Sequence, residues 1–225
     1  MADHTPTSDA VVSNRLRITE IFFSLQGESR TVGWPTVFVR LTGCPLRCGY
    51  CDTSYAFQGG AWMSLDAILA YVARYRARHV TVTGGEPLAQ PACRTLLGAL
   101  CDAGYEVSLE TSGALDVCGV DPRVIKVMDL KTPGSGELDR NLWDNLPCLT
   151  SRDQVKFVLC DRADYDWARG VLRDHDLASR CEVLFSPVHG SLEPAQLAEW
   201  ILADRLPVRF QIQLHKYLWG DEPGH

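Results

Sequence analysis

Residues 43–51 read GCPLRCGYC, which sets Cys44, Cys48 and Cys51 in a C-x3-C-x2-C spacing with Tyr50 just before the third cysteine. Thiolates are soft ligands that suit iron–sulfur clusters and zinc. Three cysteines around a four-iron cubane leave one iron without a protein ligand, open to a substrate. A structural zinc site wants a fourth ligand; no second cysteine pair follows, and zinc would have to recruit a distant residue such as His79 or Cys118. Gly43, Pro45 and Gly49 favour a loop wrapped closely round an object, because small residues let the backbone approach. Residues 36–41 (TVFVRL) come just before, β-branched and aromatic, and read as a strand. The triplet thus sits just beyond a strand end, in a long loop over 43–60 rich in Gly, Pro, Asp and Ser.

Outward from that loop the pattern alternates. Residues 16–25 read as a strand. Ser64 reads as the N-cap of a helix over 65–78, with Leu65, Ile68, Leu69 and Val72 at helical spacing. Strands are predicted over 79–83, 105–111, 124–130, 154–160, 181–186 and 208–213, and helices over 91–104, 138–146, 163–173 and 194–203. Repeated β–α–β units imply an α/β fold with a mainly parallel sheet. In such sheets ligands bind beyond the C-terminal strand ends. Cys44, Gly84-Gly85-Glu86, Glu110-Thr111, Lys131, Ser186-Pro187 and His215-Lys216 all fall there. Residues 1–14 are polar and aperiodic and read as a flexible arm, and 15–225 as a single domain.

The 225-residue composition is that of a globular chain, 46% hydrophobic and 22% charged, with a formal net charge of −6. An acidic balance argues against nucleic-acid backbones, which need clustered Lys and Arg. Without an apolar run of spanning length or a secretory pattern, neither membrane insertion nor export is expected, and the cytoplasm is the default. Nine cysteines, an odd number, argue against a disulfide framework. Cys93, Cys101, Cys118, Cys148, Cys160 and Cys181 are scattered, several of them in apolar surroundings that suit small buried hydrophobes.

The run GCPLRCGYC resembles the signature of the radical S-adenosylmethionine (SAM) superfamily. Thr83-Gly84-Gly85-Glu86-Pro87 is similar to the segment that receives the amino group of SAM in that superfamily. The resemblance implies a [4Fe–4S] cluster on Cys44, Cys48 and Cys51, SAM on the open iron, and a partial, open TIM-like barrel with a modified radical SAM core. The flanks EIFFSLQGE (20–28), Gly33-x-Pro35, Phe38-x-Arg40-Leu41, Cys51-Asp52-Thr53, ETSG (110–113) and His215-Lys216-Tyr217 narrow it further. Together they resemble the 7-carboxy-7-deazaguanine synthases of queuosine and 7-deazapurine biosynthesis.

That resemblance implies a pterin substrate, 6-carboxy-5,6,7,8-tetrahydropterin, a magnesium ion, an electron donor such as flavodoxin, and a homodimer. It implies SAM contacts at Tyr50, Cys51, Asp52, Gly84, Gly85, Glu86 and Ser112, and in the loops Asp129, Leu130, Lys131 and Ser186, Pro187, Val188, His189. Leu25, Gln26, Gly27, Glu28, Arg40 and Thr83 are expected to bind substrate, with Arg40 suited to its carboxylate. Thr53 is expected to give an oxygen to Mg2+. No side chain is assigned as a catalytic acid or base. The chain departs from the family pattern at Ser29, Ser112 and Asp129-Leu130, and in its longer tail. Rival readings are a glycyl-radical activase of the same superfamily and a non-catalytic zinc module.

Overall fold

The computed structural model describes residues 14–220, 222 and 224; the expected arm lies outside them except for Asn14. Among the described residues nine strands form one sheet in the order β3-β1-β2-β4-β5-β6-β7-β8-β9. They are β1 (Arg15–Leu25), β2 (Pro35–Leu41), β3 (Ala61–Ser64), β4 (His79–Gly84), β5 (Glu106–Thr111), β6 (Ile125–Asp129), β7 (Gln154–Leu159), β8 (Glu182–Pro187) and β9 (Arg209–Phe210). Every pairing from β2 through to β9 is parallel, while β1 lies antiparallel to both β2 and β3. The sheet runs from β3 to β9 without closing, which is the open, mainly parallel α/β barrel expected from the sequence.

The helices are α1 (Leu65–Ala73), α2 (Cys93–Asp102), α3 (Arg162–Asp174), α4 (Leu177–Arg180), α5 (Pro194–Asp204) and α6 (Leu214–Trp219). Ser64 caps α1, its hydroxyl accepting from Ala67 N at 3.2 Å. Ile68 and Val72 on that helix and Leu96 and Leu100 on α2 pack with Val80 and Val82 into one core half. The other half joins Phe157 and Phe185 to Tyr165, Ala168 and Leu197 on α3 and α5. Leu88 touches both. Among the described residues no helix is long and apolar enough to cross a membrane.

Several elements differ from the sequence reading. Helix α1 stops at Ala73, not 78, because Arg76 turns into the left-handed region with φ +51°. The helix expected over 138–146 is two 3-10 turns, Leu138–Arg140 and Trp143–Cys148. Asn141 between them is extended, because its side chain brackets Lys131, accepting from its N and donating to its O, each at 2.8 Å. The last strand shrinks to two residues because the chain leaves the sheet after Gln211 and turns into α6. Strand β3 and helices α4 and α6 have no counterpart in the sequence pattern; each is too short to display a period. Cys118 and Cys148 are joined in a disulfide with Cα atoms 5.2 Å apart, leaving seven free cysteines. An odd total argues only against complete pairing, and a lone pair across adjacent loops escapes that arithmetic.

Candidate active site

A cavity of about 460 Å3 opens along the inner face of the barrel. The loop after β2 forms one wall. Its turns are held by Gly43 N on Ala56 O (2.8 Å), Gly49 N on Ser135 O (3.0 Å) and Cys51 N on Cys48 O (3.2 Å). Leu46 plugs into the core, and Arg47 lies over the Phe57 ring and donates to Cys44 O at 2.7 Å. Cys44, Cys48 and Cys51 are thereby brought to the cavity wall as free, half-buried thiols. Burial raises all three thiols, and Lys131 opposes the rise. Soft sulfur donors of this kind suit an iron–sulfur cluster, whose irons would favour their deprotonated form.

Gly84 and Gly85, at the end of β4, press against that loop. Gly85 N donates to Leu41 O and Glu86 N to Gly43 O at 2.8 Å. A Cβ on Gly85 would come 2.3 Å from Gly43 O and 2.7 Å from Cys44 Cβ. Glu86 turns inward and is fully buried. Its carboxylate accepts from Ser112 N (2.7 Å), Ser112 Oγ (2.5 Å), Thr111 Oγ1 (2.9 Å) and Leu88 N (3.0 Å). Expected to contact SAM, it bolts β4 to β5 from outside the cavity wall; Ser112 and Thr111 do line the wall.

Tyr50, Asp52, Thr53, Asp129 and Lys131 also line the cavity, as do Val188 and His189. Thr53 Oγ1 donates to Asp52 Oδ1 at 2.7 Å. Asp129 Oδ2 lies 3.2 Å from Lys131 Nζ, and Asp129 Oδ1 is buried without a partner. Leu130 packs into the core, and Ser186 and Pro187 are buried at the end of β8, none of them on the wall.

The far wall carries the residues expected to bind substrate. Leu25 pairs with Pro35 at the start of β2, so the turn holding Gln26, Gly27 and Glu28 enters opposite the cysteine loop. Gln26 is buried and committed: its Nε2 donates to Thr81 Oγ1 (3.0 Å) and Glu110 Oε1 (3.2 Å). Arg40 pairs with Glu20 across β1 and β2, Nε to Oε1 at 2.7 Å. Thr83, beside Arg40 in β4, donates to Glu110 Oε2 at 3.0 Å. Gly27 is needed where it stands, since a Cβ there would meet His215 Nδ1 at 2.3 Å.

Two carboxyls in this wall are driven apart. Burial raises Glu28, but the ammonium of Lys156 overrides it, with help from His215 and Gln213, and holds the carboxyl down at about 2. Burial raises Glu110, and Lys156 only partly offsets it while Glu28 adds to the rise. Lys156 Nζ lies 2.5 Å from Glu28 Oε2 and 3.8 Å from Asp129 Oδ2. Gln213 Nε2 reaches both Glu28 Oε1 (3.0 Å) and Asp52 Oδ2 (3.2 Å), so the start of α6 bridges the two walls. Sequence reasoning assigned no role to Lys156 or Gln213. The lysine had a signal: one cation among the apolar residues VKFVL at 155–159.

The alternative zinc ligands are elsewhere: His79 begins β4, at the strand end away from the cysteine loop, and Cys118 is bonded to Cys148.

An open parallel barrel with three free cysteines in the loop after its first parallel strand, and a Gly-Gly turn packed on that loop, defines the radical SAM class. The family profile described as the radical SAM superfamily matches residues 38–129. The chain is 48% identical to 7-carboxy-7-deazaguanine synthase of Chlorobaculum tepidum over 92% of its own length and 96% of that protein. It is 43% identical to the synthase of Koribacter versatilis, over 92% and 98%. The crystal structure of QueE from Escherichia coli shares the fold, with a TM-score of 0.72 at 24% identity, covering 93% of this chain and 100% of that one. The chain belongs to the 7-carboxy-7-deazaguanine synthase family, and it is a radical SAM enzyme.

Membership brings a [4Fe–4S] cluster and SAM as cofactors. The residues present fit them. The donors are three soft sulfurs free of disulfides, and the wall beside Cys44 is kept clear by a glycine that no other residue can replace without collision.

Proposed function

We propose that the protein converts 6-carboxy-5,6,7,8-tetrahydropterin to 7-carboxy-7-deazaguanine and ammonia, a redox-neutral ring contraction in queuosine and 7-deazapurine biosynthesis. One observation carries the reading: the three cysteines and an array of fixed polar groups, Arg40, Glu28 and Glu110, face one cavity of about 460 Å3, a volume suited to small molecules. Cys44, Cys48 and Cys51 would hold the cluster. Bound there and reduced, the cluster would supply the one-electron chemistry on SAM that a radical rearrangement of the pterin needs.

The chain's own residues bind and orient. Arg40, with Nε anchored on Glu20, offers its other donors to the substrate carboxylate as a planar fork. Glu28, held ionised, accepts from pterin amino and ring N–H groups. Leu25, Gln26, Gly27 and Thr83 form the rest of that wall. Tyr50, Cys51, Asp52, Gly84, Gly85 and Ser112 bind SAM, together with Asp129, Lys131, Val188 and His189. Glu86, Leu130, Ser186 and Pro187 serve SAM indirectly, by fixing the loops that bear those contacts.

Thr53, with Asp52 at its side, gives an oxygen to Mg2+, a hard cation that keeps most of its waters. Residues 15–225 form one catalytic unit. The protein works as a homodimer in the cytoplasm, with flavodoxin or a similar carrier as electron donor.

The test is an anaerobic assay with reductant, SAM and carboxytetrahydropterin, with iron quantified in the same sample. The deazaguanine chromophore should appear, and SAM should alter the electron paramagnetic resonance signal of the reduced protein. Cys48→Ala should remain folded without cluster or activity. Absence of the chromophore with SAM cleavage intact would sink the substrate assignment.

A further inference from the structure

Strand β7 alternates between two faces. Val155, Phe157 and Leu159 enter the core, while Lys156 and Val158 face the cavity. Lys156 is therefore a cation set into a wall that an aliphatic side chain would fill more cheaply. Buried ion pairs are poor stabilisers, because desolvation offsets most of their attraction. Its surroundings point to another use. Around the Glu28 carboxylate stand Lys156 from β7, His215 and Gln213 from the α6 segment and Glu110 from β5, while Asp129 from β6 faces Lys156. Three carboxylates and one imidazole thus share this corner with Lys156. The next cation, Lys131, is drawn to Asp129 at 3.2 Å.

The geometry points to Lys156 as a positioning residue for the substrate: its ammonium, bonded to Glu28 Oε2, fixes that carboxylate as an acceptor facing the cavity. This rests on the pterin reading proposed above. Gln213 holds Oε1 of Glu28 at 3.0 Å, so the carboxylate is pinned on both oxygens and each keeps a lone pair for the ligand. Register gives the lysine its aim, since Lys156 pairs with Asp129 in β6, and Leu130 N donates to Lys156 O at 2.9 Å. Without the ammonium, burial and the neighbouring Glu110 oppose the charge on Glu28 with only His215 and Gln213 to hold it, and a Glu28 that takes up a proton presents a donor where the ligand also has donors.

The test is a double-mutant cycle in kcat/KM for carboxytetrahydropterin, on reconstituted enzymes matched for iron content. Wild-type formation of the deazaguanine is the control for the functional reading itself; its absence would remove that reading before Lys156 is at issue. Lys156→Met should lower kcat/KM on the order of 30-fold, mainly through KM, as befits loss of one charge-assisted hydrogen bond. The deficit should widen as pH falls, because the uncompensated Glu28 then takes up a proton. Lys156→Arg should recover most of the loss. On a Glu28→Gln background the same Met substitution should cost little, and the neutral pair Glu28→Gln/Lys156→Met keeps the cycle readable if the lone Met variant folds poorly. An equal loss in both backgrounds would overturn the assignment.

Discussion

At the scale of single residues, one row of polar side chains decides what the cavity can hold. Glu20, Arg40, Thr83 and Glu110 follow one another across neighbouring strands, each engaging the next or lying in register with it. Arg40→Ala should raise KM for the pterin about 10- to 100-fold with a smaller change in kcat, since a charge-assisted contact is worth roughly 1.5–3 kcal/mol; Arg40→Lys should recover only part, lacking the planar fork. Steady-state kinetics checks both. Glu28 makes a separate prediction about stability. Its carboxyl falls from 4.5 to about 2 on folding, so the folded chain binds that proton more weakly than the unfolded one. Its stabilising contribution is therefore complete above 4.5 and is lost as pH falls towards 2. Urea unfolding of the cluster-free chain across that window should show a shallower pH dependence for Glu28→Gln. The cysteines, Arg40 and the Gln26–Glu28 turn were legible because they stand in contiguous motifs. Lys156 and Gln213 were not, because their meaning arises only where β7 and α6 meet the turn after β1.

At the scale of elements, the long strands and amphipathic helices could be read from periodicity, and the short ones could not. Strand β2 announced itself by TVFVRL, and α1 by its Ser64 cap. The region after β6 misled because Asn141 and Asn145 spend their side-chain amides on neighbouring loops instead of sitting on a helix surface. Asn145 Nδ2 donates to Gly113 O (3.0 Å) and Leu115 O (2.9 Å), and its Oδ1 accepts from Val117 N (3.0 Å). The β4 turn makes the sharpest prediction. Gly85→Ala forces a methyl against the Gly43 carbonyl at 2.3 Å, a backbone atom that cannot swing aside. The variant should fold yet retain little iron after reconstitution, as measured by iron content and absorbance, and with it lose nearly all turnover.

At the scale of the whole molecule, the open sheet leaves a cavity that separate loops must line without a closed barrel to fix them. The Cys118–Cys148 bond ties the loop after β5, which bears Ser112, to the loop after β6, which bears Lys131. Its sequence separation of 30 residues corresponds to roughly 3–4 kcal/mol of loop-closure entropy in the unfolded chain. Cys118→Ser/Cys148→Ser should therefore melt roughly 5–15 °C lower than the oxidised protein, and calorimetry under non-reducing conditions is the check; equal midpoints would mean that the bond contributes nothing to stability.

The bridge made by Gln213 joins residues 185 positions apart in sequence. The same amide reaches Asp52, directly after Cys51 in the cysteine loop. Undocking of the α6 segment would thus loosen the pterin wall and the margin of the cluster loop in one movement, so the two halves of the site lose their shape together.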